Sequence, residues 1–311
     1  MANATRSIPL DRQRLLGVTF AVLAALGFSV KAILVKLAYA DAVDAVTLLA
    51  LRMLFSVPFF LAIALWSGAN QGTAPLEKRD WLLVLALGLI GYYLSSLLDF
   101  LGLQFISAGL ERLILFLYPT LVVMLSAILF KRAIQRREVV ALCLSYAGVA
   151  LAVAHDISLK QSGILLGASL VFASTLSYST YLVGAGHAIA RIGAVRFTAY
   201  AMTVACAASV LQFSLIHPWT ALLRSARVYE LSFAMAIIST VLPAFLAAAS
   251  MRRIGSSHAA LIGSIGPIAT IYLAYVFLGE AFSGLQIAGA LLVIAGVLAI
   301  SVSSKQKKGG A

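Results

Sequence analysis

Six ionisable residues, Lys31, Lys36, Arg52, Asp99, Glu111 and Arg112, interrupt long apolar runs in which charge is costly. Each such residue at mid-bilayer costs roughly 2.5–3.5 kcal/mol on insertion scales, so six left unpaired would cost on the order of 15–20 kcal/mol. They must therefore snorkel, pair or face water. Lys36 lies near the end of its run and can snorkel. Arg52 and Lys31 lie deeper, and Asp99 and Glu111 flank one turn, which suggests a shared network of these acids with Arg112, Arg52 or Lys31. Tyr92, Ser95, Ser96 and Asp99 are spaced as one helical face, and Glu111 and Tyr118 share another. Arg112 is turned about 100° from Glu111 and serves a different surface. Ser174, Ser177, Tyr178 and Tyr181 repeat the first stripe without charge, and Ser257 and Ser264 share a face that continues to Tyr272 and Tyr275.

Two chemistries fit these residues. If both stripes face one aqueous cavity, Lys31, Arg52, Tyr92, Ser96, Tyr118, Tyr178, Tyr181 and Ser264 bind a small polar solute, zwitterionic in the sharpest form. Arg52 or Lys31 would then meet a carboxylate, and Asp99 or Glu111 an ammonium group or a coupling proton. Burial favours the neutral acid, which would let either carboxyl load and release a proton. The alternative is a structural salt-bridge cluster that pins the first four helices together. Other constellations are thin. No His/Cys set has metal-ligand spacing, no Gly loop is built to cradle phosphate, and no nucleophile has a matching base. Neither an enzyme nor a cofactor is expected. His187 falls in a loop, His258 at the start of a span as an interfacial helix-end residue, and Glu280 in a loop. Cys143 and Cys206 fall inside apolar runs and read as buried reduced thiols.

The elements that must position these residues are ten apolar stretches, near 15–38, 45–66, 81–103, 109–130, 139–155, 163–185, 194–216, 229–250, 257–279 and 285–303. Of 311 residues, 62% are hydrophobic and only 11% charged, and mean hydropathy is +1.02. A soluble domain is roughly 25% charged, and about 20 helical residues cross a bilayer. The runs are continuous rather than alternating, which excludes a membrane β-barrel. The fold class is therefore an all-α membrane protein, and the first run is too long for a cleaved signal peptide. The net charge of +12 does not point to nucleic acid, because it is segregated. One set of links carries Arg6, Arg12, Arg14, Lys78, Arg79, Lys131, Arg132, Arg136, Arg137, Arg191, Arg196, Arg252, Arg253, Lys305, Lys307 and Lys308. The other carries Lys160, Arg224 and Arg227. That bias predicts an inner-membrane protein with both termini cytoplasmic. Trp66, Trp81 and Trp219 fall at run ends, as aromatic belts do.

Sliding the chain by 148 residues lays Ile106–Val149 over Ile254–Val297, with Pro119 on Pro267 and Ala147-Gly148-Val149 on Ala295-Gly296-Val297. Five spans per unit, an odd number, would place the second copy upside down, the inverted repeat on which secondary transporters are built. The expected units are residues 1–155 and 156–311. Pro119 and Pro267 interrupt spans 4 and 9 at matching positions and are candidate hinges. Paired interruptions point to a substrate site, although two retained kinks would look the same. Spans 5 and 10 hold no interior charge, and Gly289 and Gly296 share a face suited to close packing or to a homodimer.

The stretch Leu103–Gly109 running into a span with a central Pro resembles the drug/metabolite transporter superfamily. Gly27-Phe28-Ser29, Arg52 and the Gly279-Glu280-Ala281 turn are similar to its ten-span, EamA-type branch. Phe28 departs from that pattern, because many members carry Trp there. The resemblance implies spans 1–4 and 6–9 around a central cavity, with spans 5 and 10 peripheral and no cofactor. It further implies a solute-carrying membrane protein in which an exporter of an amino acid or related metabolite by alternating access is the first expectation. A multidrug exporter of organic cations is the second.

Overall fold

In lipid, every backbone N–H and C=O must be satisfied internally, so apolar runs of this length become helices. The computed structural model describes residues 10–69, 76–158 and 162–306, and among them only helices and connecting turns occur. In chain order these are α1 Leu10–Tyr39, α2 Ala45–Ala69, α3 Lys78–Gly88, α4 Ser95–Gly102, α5 Ala108–Leu115, α6 Tyr118–Leu129, α7 Arg136–Ser158 and α8 Ile164–Ile192. They continue as α9 Ala194–Ile216, α10 Ala226–Ala236, α11 Leu242–Gly263, α12 Ile265–Leu278 and α13 Gly284–Gln306. Eight continuous or joined runs are long and apolar enough to cross a bilayer, and Ile265–Leu278 and Gly284–Ala299 are shorter apolar helices. Lys160, Lys307 and Lys308 lie outside the described residues.

The irregularities fall in the 148-residue register. A π-helical turn at Leu89–Leu94 joins α3 to α4, and another at Ile237–Val241 joins α10 to α11. Span 4 unwinds at Phe116 and Leu117, between α5 and α6, and span 9 breaks at Ser264, between α11 and α12. Pro119 and Pro267 therefore stand in the first turn of a new helix rather than inside a continuous one, where the missing N–H removes no helical hydrogen bond. α11 also turns sharply at Gly255, whose φ of 79° suits a residue without Cβ.

Packing follows the same correspondence. α1 lies along α11 and α12, as α8 lies along α4 and α6, while α2 packs on α9 and α7 on α13. Ser29 donates from its hydroxyl to the carbonyl of Ala25 at 2.7 Å and to that of Gly266 at 3.0 Å. Ser179 donates to Thr175 at 2.7 Å and to Tyr118 at 3.3 Å. Gly266 and Tyr118 each precede the proline of an interrupted span. At the starts of α7 and α13, Glu138 accepts from the Gln135 N–H at 2.8 Å and Gln286 from the Ser283 N–H at 3.0 Å.

The α7–α13 contact uses the small-residue face. A Cβ on Gly148 would stand 2.5 Å from the Gly289 carbonyl oxygen, and one on Gly289 equally close to that of Gly148. Gly296 lies against Ser145 and the Ala141 carbonyl. The surface expected to serve a homodimer is thus filled within the chain. The outer wall is apolar, and Trp66, Trp81 and Trp219 are exposed at helix ends. Cys206 is buried with its sulfur 3.6 Å from Met53 Sδ, but Cys143 is exposed rather than buried, because it sits on the side of α7 turned away from the bundle.

The α1–α2 turn is ordered by Asp44, which accepts the N–H groups of Val46 and Thr47 at 3.0 Å each and the Thr47 hydroxyl at 2.5 Å. His217 Nε2 lies 3.4 Å from it. Burial works to raise the Asp44 pKa, but the Thr47 hydrogen bonds and the His217 charge outweigh it and hold the group below its ordinary value.

Candidate functional site

Three of the six intramembrane charges form one cluster. The Lys31 ammonium, on α1, ion-pairs with Asp99 Oδ2 on α4 and lies 2.9 Å from Glu111 Oε1 on α5. Glu111 has no exposed surface, the Asp99 side chain is 4% exposed and that of Lys31 15%. A single positive charge thus faces two carboxylates in a largely buried place, where Coulomb attraction is strong and leaving any member unpaired is costly. Neither Glu111 oxygen has a hydrogen-bond partner, nor does Asp99 Oδ1.

The two arginines go elsewhere. The Arg52 guanidinium donates to Ser96 Oγ at 3.0 Å and lies 4.9 Å over the Phe100 ring. Arg112 projects from the last turn of α5 against Gly266 of α12, where only the absence of a side chain leaves it room. The sequence suggested one network of these acids with Arg112, Arg52 or Lys31. Lys31 alone is ion-paired with them.

The expected polar stripe on span 3 is divided. Face arithmetic assumes 3.6 residues per turn, and the π turn at Leu89–Leu94 breaks that period just where Tyr92 sits. Tyr92 meets the Tyr181 hydroxyl of α8 at 2.8 Å, Ser96 meets Arg52 of α2, and Asp99 meets Lys31 of α1. Ser95 turns back to the Gly91 carbonyl. On α8, Ser174 and Ser177 donate to the carbonyls of Ser95 and Ile90, both at 2.6 Å. These serines tie two helices together rather than line a passage.

The tyrosines do assemble. Tyr118 and Tyr178 have ring centroids 6.0 Å apart, Tyr178 and Tyr181 5.6 Å, and Tyr181 and Tyr92 4.8 Å. The chain of rings begins at the interruption of span 4 and ends within the π turn of span 3. Ser264 stands at the interruption of span 9, half-buried. Tyr272 and Tyr275 are 66% and 64% exposed on the outer wall, away from these residues. The side chain of Ser257 lies outside the described residues. A groove of about 310 Å³ is lined by Tyr93, Ala208, Leu211, Gln212, Leu215 and Ile216, none of them a predicted site residue.

Glu280 is more than the loop residue that the sequence suggested. Its carboxylate accepts the N–H groups of Ala108 and Gly109 at 3.0 and 3.4 Å, at the start of α5. It thereby joins the Gly279–Ala281 turn to the helix bearing Glu111 and Arg112, favourably placed at a helix N-terminus. Gly266 is the other residue that sequence reasoning missed. The signal was its neighbour Pro267, which marked the interruption without indicating what would lie against it.

No group of three or more His, Cys, Asp or Glu able to hold a metal occurs among the described residues. The arrangement offers a buried, charged hydrogen-bonding cluster and a row of phenols beside two interrupted helices.

The EamA-like transporter family model matches the chain twice, over residues 15–154 and 165–302. A Bacillus subtilis protein described as uncharacterized transporter YcbK is 31% identical over 284 residues, covering 89% of this chain and 90% of its own. Uncharacterized transporter sll1319 of Synechocystis is 26% identical, covering 79% and 76%. A solved structure, titled only as the crystal structure of a protein, matches with a TM-score of 0.64 at 20% identity, over 94% of this chain and 98% of that one, which supports the fold. With the family model covering nearly all of an all-helical, apolar chain, this protein belongs to the EamA-like transporter family and is a multi-pass membrane transporter.

Proposed function

We propose that the protein is a proton-linked secondary transporter that exports a small polar metabolite, of the size of an amino acid, by alternating access. In this reading ten spans form two inverted five-helix units, residues 1–155 and 156–311, in an inner membrane with both termini cytoplasmic. The helices interrupted beside Pro119 and Pro267 are the parts that move between its open states. A homodimer, if formed, uses the faces of α7 and α13 that remain outside their mutual contact.

The observation that carries the reading is the Lys31–Asp99–Glu111 cluster. One ammonium and two carboxylates sum to a single negative charge, which one proton neutralises. Protonating Glu111 would free Lys31 to pair with Asp99 alone, so proton binding changes which of α4 and α5 is held to α1. Oε2 of Glu111, which has no hydrogen-bond partner, is the oxygen that would take that proton. Lys31, Arg52, Ser96, Tyr92, Tyr118, Tyr178, Tyr181 and Ser264 remain the proposed solute contacts. An organic-cation exporter needs an acid free to meet the cation, and both acids here are engaged by Lys31.

Proteoliposomes holding the full chain test this with a panel of labelled amino acids and organic cations, with and without an imposed pH gradient. Amino acid flux that follows the gradient is expected. Saturable binding with no flux of any solute would remove the transport assignment for this chain's site.

A further inference from the structure

We infer that Arg112, laid against Gly266 where the two interrupted spans meet, docks an oxyanion of the solute, so that the cargo is a small organic acid. This rests on the transport reading above and narrows its substrate class.

Among the central residues stand three cations, Lys31, Arg52 and Arg112, and two anions, Asp99 and Glu111. Both anions are ion-paired with Lys31. Arg52 is engaged by Ser96 and the Phe100 ring. The Arg112 guanidinium makes no ion pair or hydrogen bond with any described residue, and its Nε is buried without a partner; it interacts with Glu111 through charge alone, and that carboxylate is ion-paired with Lys31. A guanidinium carries five N–H donors and does not discharge by losing its proton. Holding one in a membrane interior with no anion in hydrogen-bonding contact is costly, so a group that supplies one is favoured there.

Position then says which group. Arg112 lies one turn before the unwound Phe116 and Leu117, and Gly266 lies just after the break at Ser264. Gly266 stands in the first turn of α12, whose N-terminal end carries positive potential and adds to that of the guanidinium. The Gly266 carbonyl, the one acceptor that its backbone offers, already takes the Ser29 hydroxyl. Planar carboxylate oxygens match the donor fork of arginine two at a time. Tyr118, on the other side of the break, presents its ring edge-on to Phe116 and Tyr178, an apolar wall for the body of such an acid. An ammonium group on the solute finds no unengaged acid, so the recognised feature is the carboxylate.

The test is uptake of labelled succinate, glutamate and phenylpyruvate, with choline and tetraethylammonium as cations, into proteoliposomes of the full chain. Uptake of at least one acid tenfold above protein-free vesicles, with neither cation moved, is expected. Arg112→Gln should lower that uptake at least tenfold, and Arg112→Lys should keep part of it. Because Arg112→Gln could impair folding, Gly266→Ala, which retains the guanidinium but takes its place, should also lower uptake. Thermal unfolding of the purified chain with the same acids gives a second readout. Undiminished acid uptake by Arg112→Gln overturns the inference and leaves the transport reading intact, as does uptake of the cations alone. An acid-induced rise in Tm that Arg112→Gln loses, with no flux of any solute, upholds the docking role and overturns transport. No flux and no shift overturn both.

Discussion

Lys31 Nζ lies 2.9 Å from Glu111 Oε1, yet Glu111 has no exposed surface and neither of its oxygens is hydrogen-bonded. At that distance the two form a close ion pair, which depends on Glu111 being ionised. Replacing Glu111 by Gln keeps the shape and leaves Lys31 with Asp99. Uptake driven by an imposed pH gradient should be lost in this variant while its Tm stays within a few degrees of wild type. Normal gradient-driven uptake by Glu111→Gln would move the proton role to another residue.

Removing the cation is the harsher change. Lys31→Met leaves Asp99 and Glu111 buried beside one another with no positive partner, and breaking a buried pair in this way costs about 3–5 kcal/mol. The combined Lys31→Met and Glu111→Gln variant should recover much of that loss. Unfolding in detergent, run as a double-mutant cycle, gives the coupling, and additive losses would show that the two residues do not stabilise one another.

The α7–α13 contact predicts a graded effect of size. Gly148→Ala places a methyl 2.5 Å from the Gly289 carbonyl and should destabilise by about 1–3 kcal/mol, since backbone cannot yield as a side chain does. Gly186→Ala, with nothing within 4 Å of the new Cβ, should change stability by no more than about 0.5 kcal/mol. Thermal unfolding of the two variants side by side checks the difference.

Asp44 gives a pH dependence of known sign. Its folded pKa lies below the ordinary value, burial notwithstanding, because of Thr47 and His217. A carboxylate depressed in this way contributes stability at pH values above its unfolded pKa of about 3.9, and that contribution is lost as pH falls through the folded pKa. Asp44→Ala should cost about 1 kcal/mol at neutral pH, as loss of a helix cap does, and should flatten the acid limb of the stability curve. Unfolding of both proteins between pH 6 and 3 measures it; a limb of unchanged slope would assign the acid sensitivity to other groups.

Much of this organisation was legible in the chain. The proline register located both interruptions, since Phe116 and Ser264 stand in the same 148-residue relation as Pro119 and Pro267. Burial cost identified Lys31, Asp99 and Glu111 as needing partners, because charges deep in three apolar runs cannot all snorkel. What failed has physical causes. The π turn at Leu89–Leu94 carries no composition signal, and it separates Tyr92 from Ser96 and Asp99 despite their helical spacing. Ser174 and Ser177 read as cavity lining because a hydroxyl bound to a neighbouring backbone looks the same in sequence as one facing water. Tyr272 and Tyr275 lie on the outer wall because an amphipathic ring is tolerated against lipid. Arg112, offered by the sequence as a partner of these acids, instead lies against Gly266, because it is turned about 100° from Glu111 on the helix.

Ser29 and Ser179 each reach two acceptors, one on their own helix and one on the carbonyl preceding a proline in another. Should α12 slide past α1, the Ser29 hydroxyl drops its distant acceptor and still keeps Ala25. Ser179 behaves likewise toward α6, with Thr175 in reserve. Neither donor is stranded in lipid at any point of such a stroke. The two broken helices are thus fastened by connections that can be undone at small enthalpic expense, as a part that must cycle repeatedly requires.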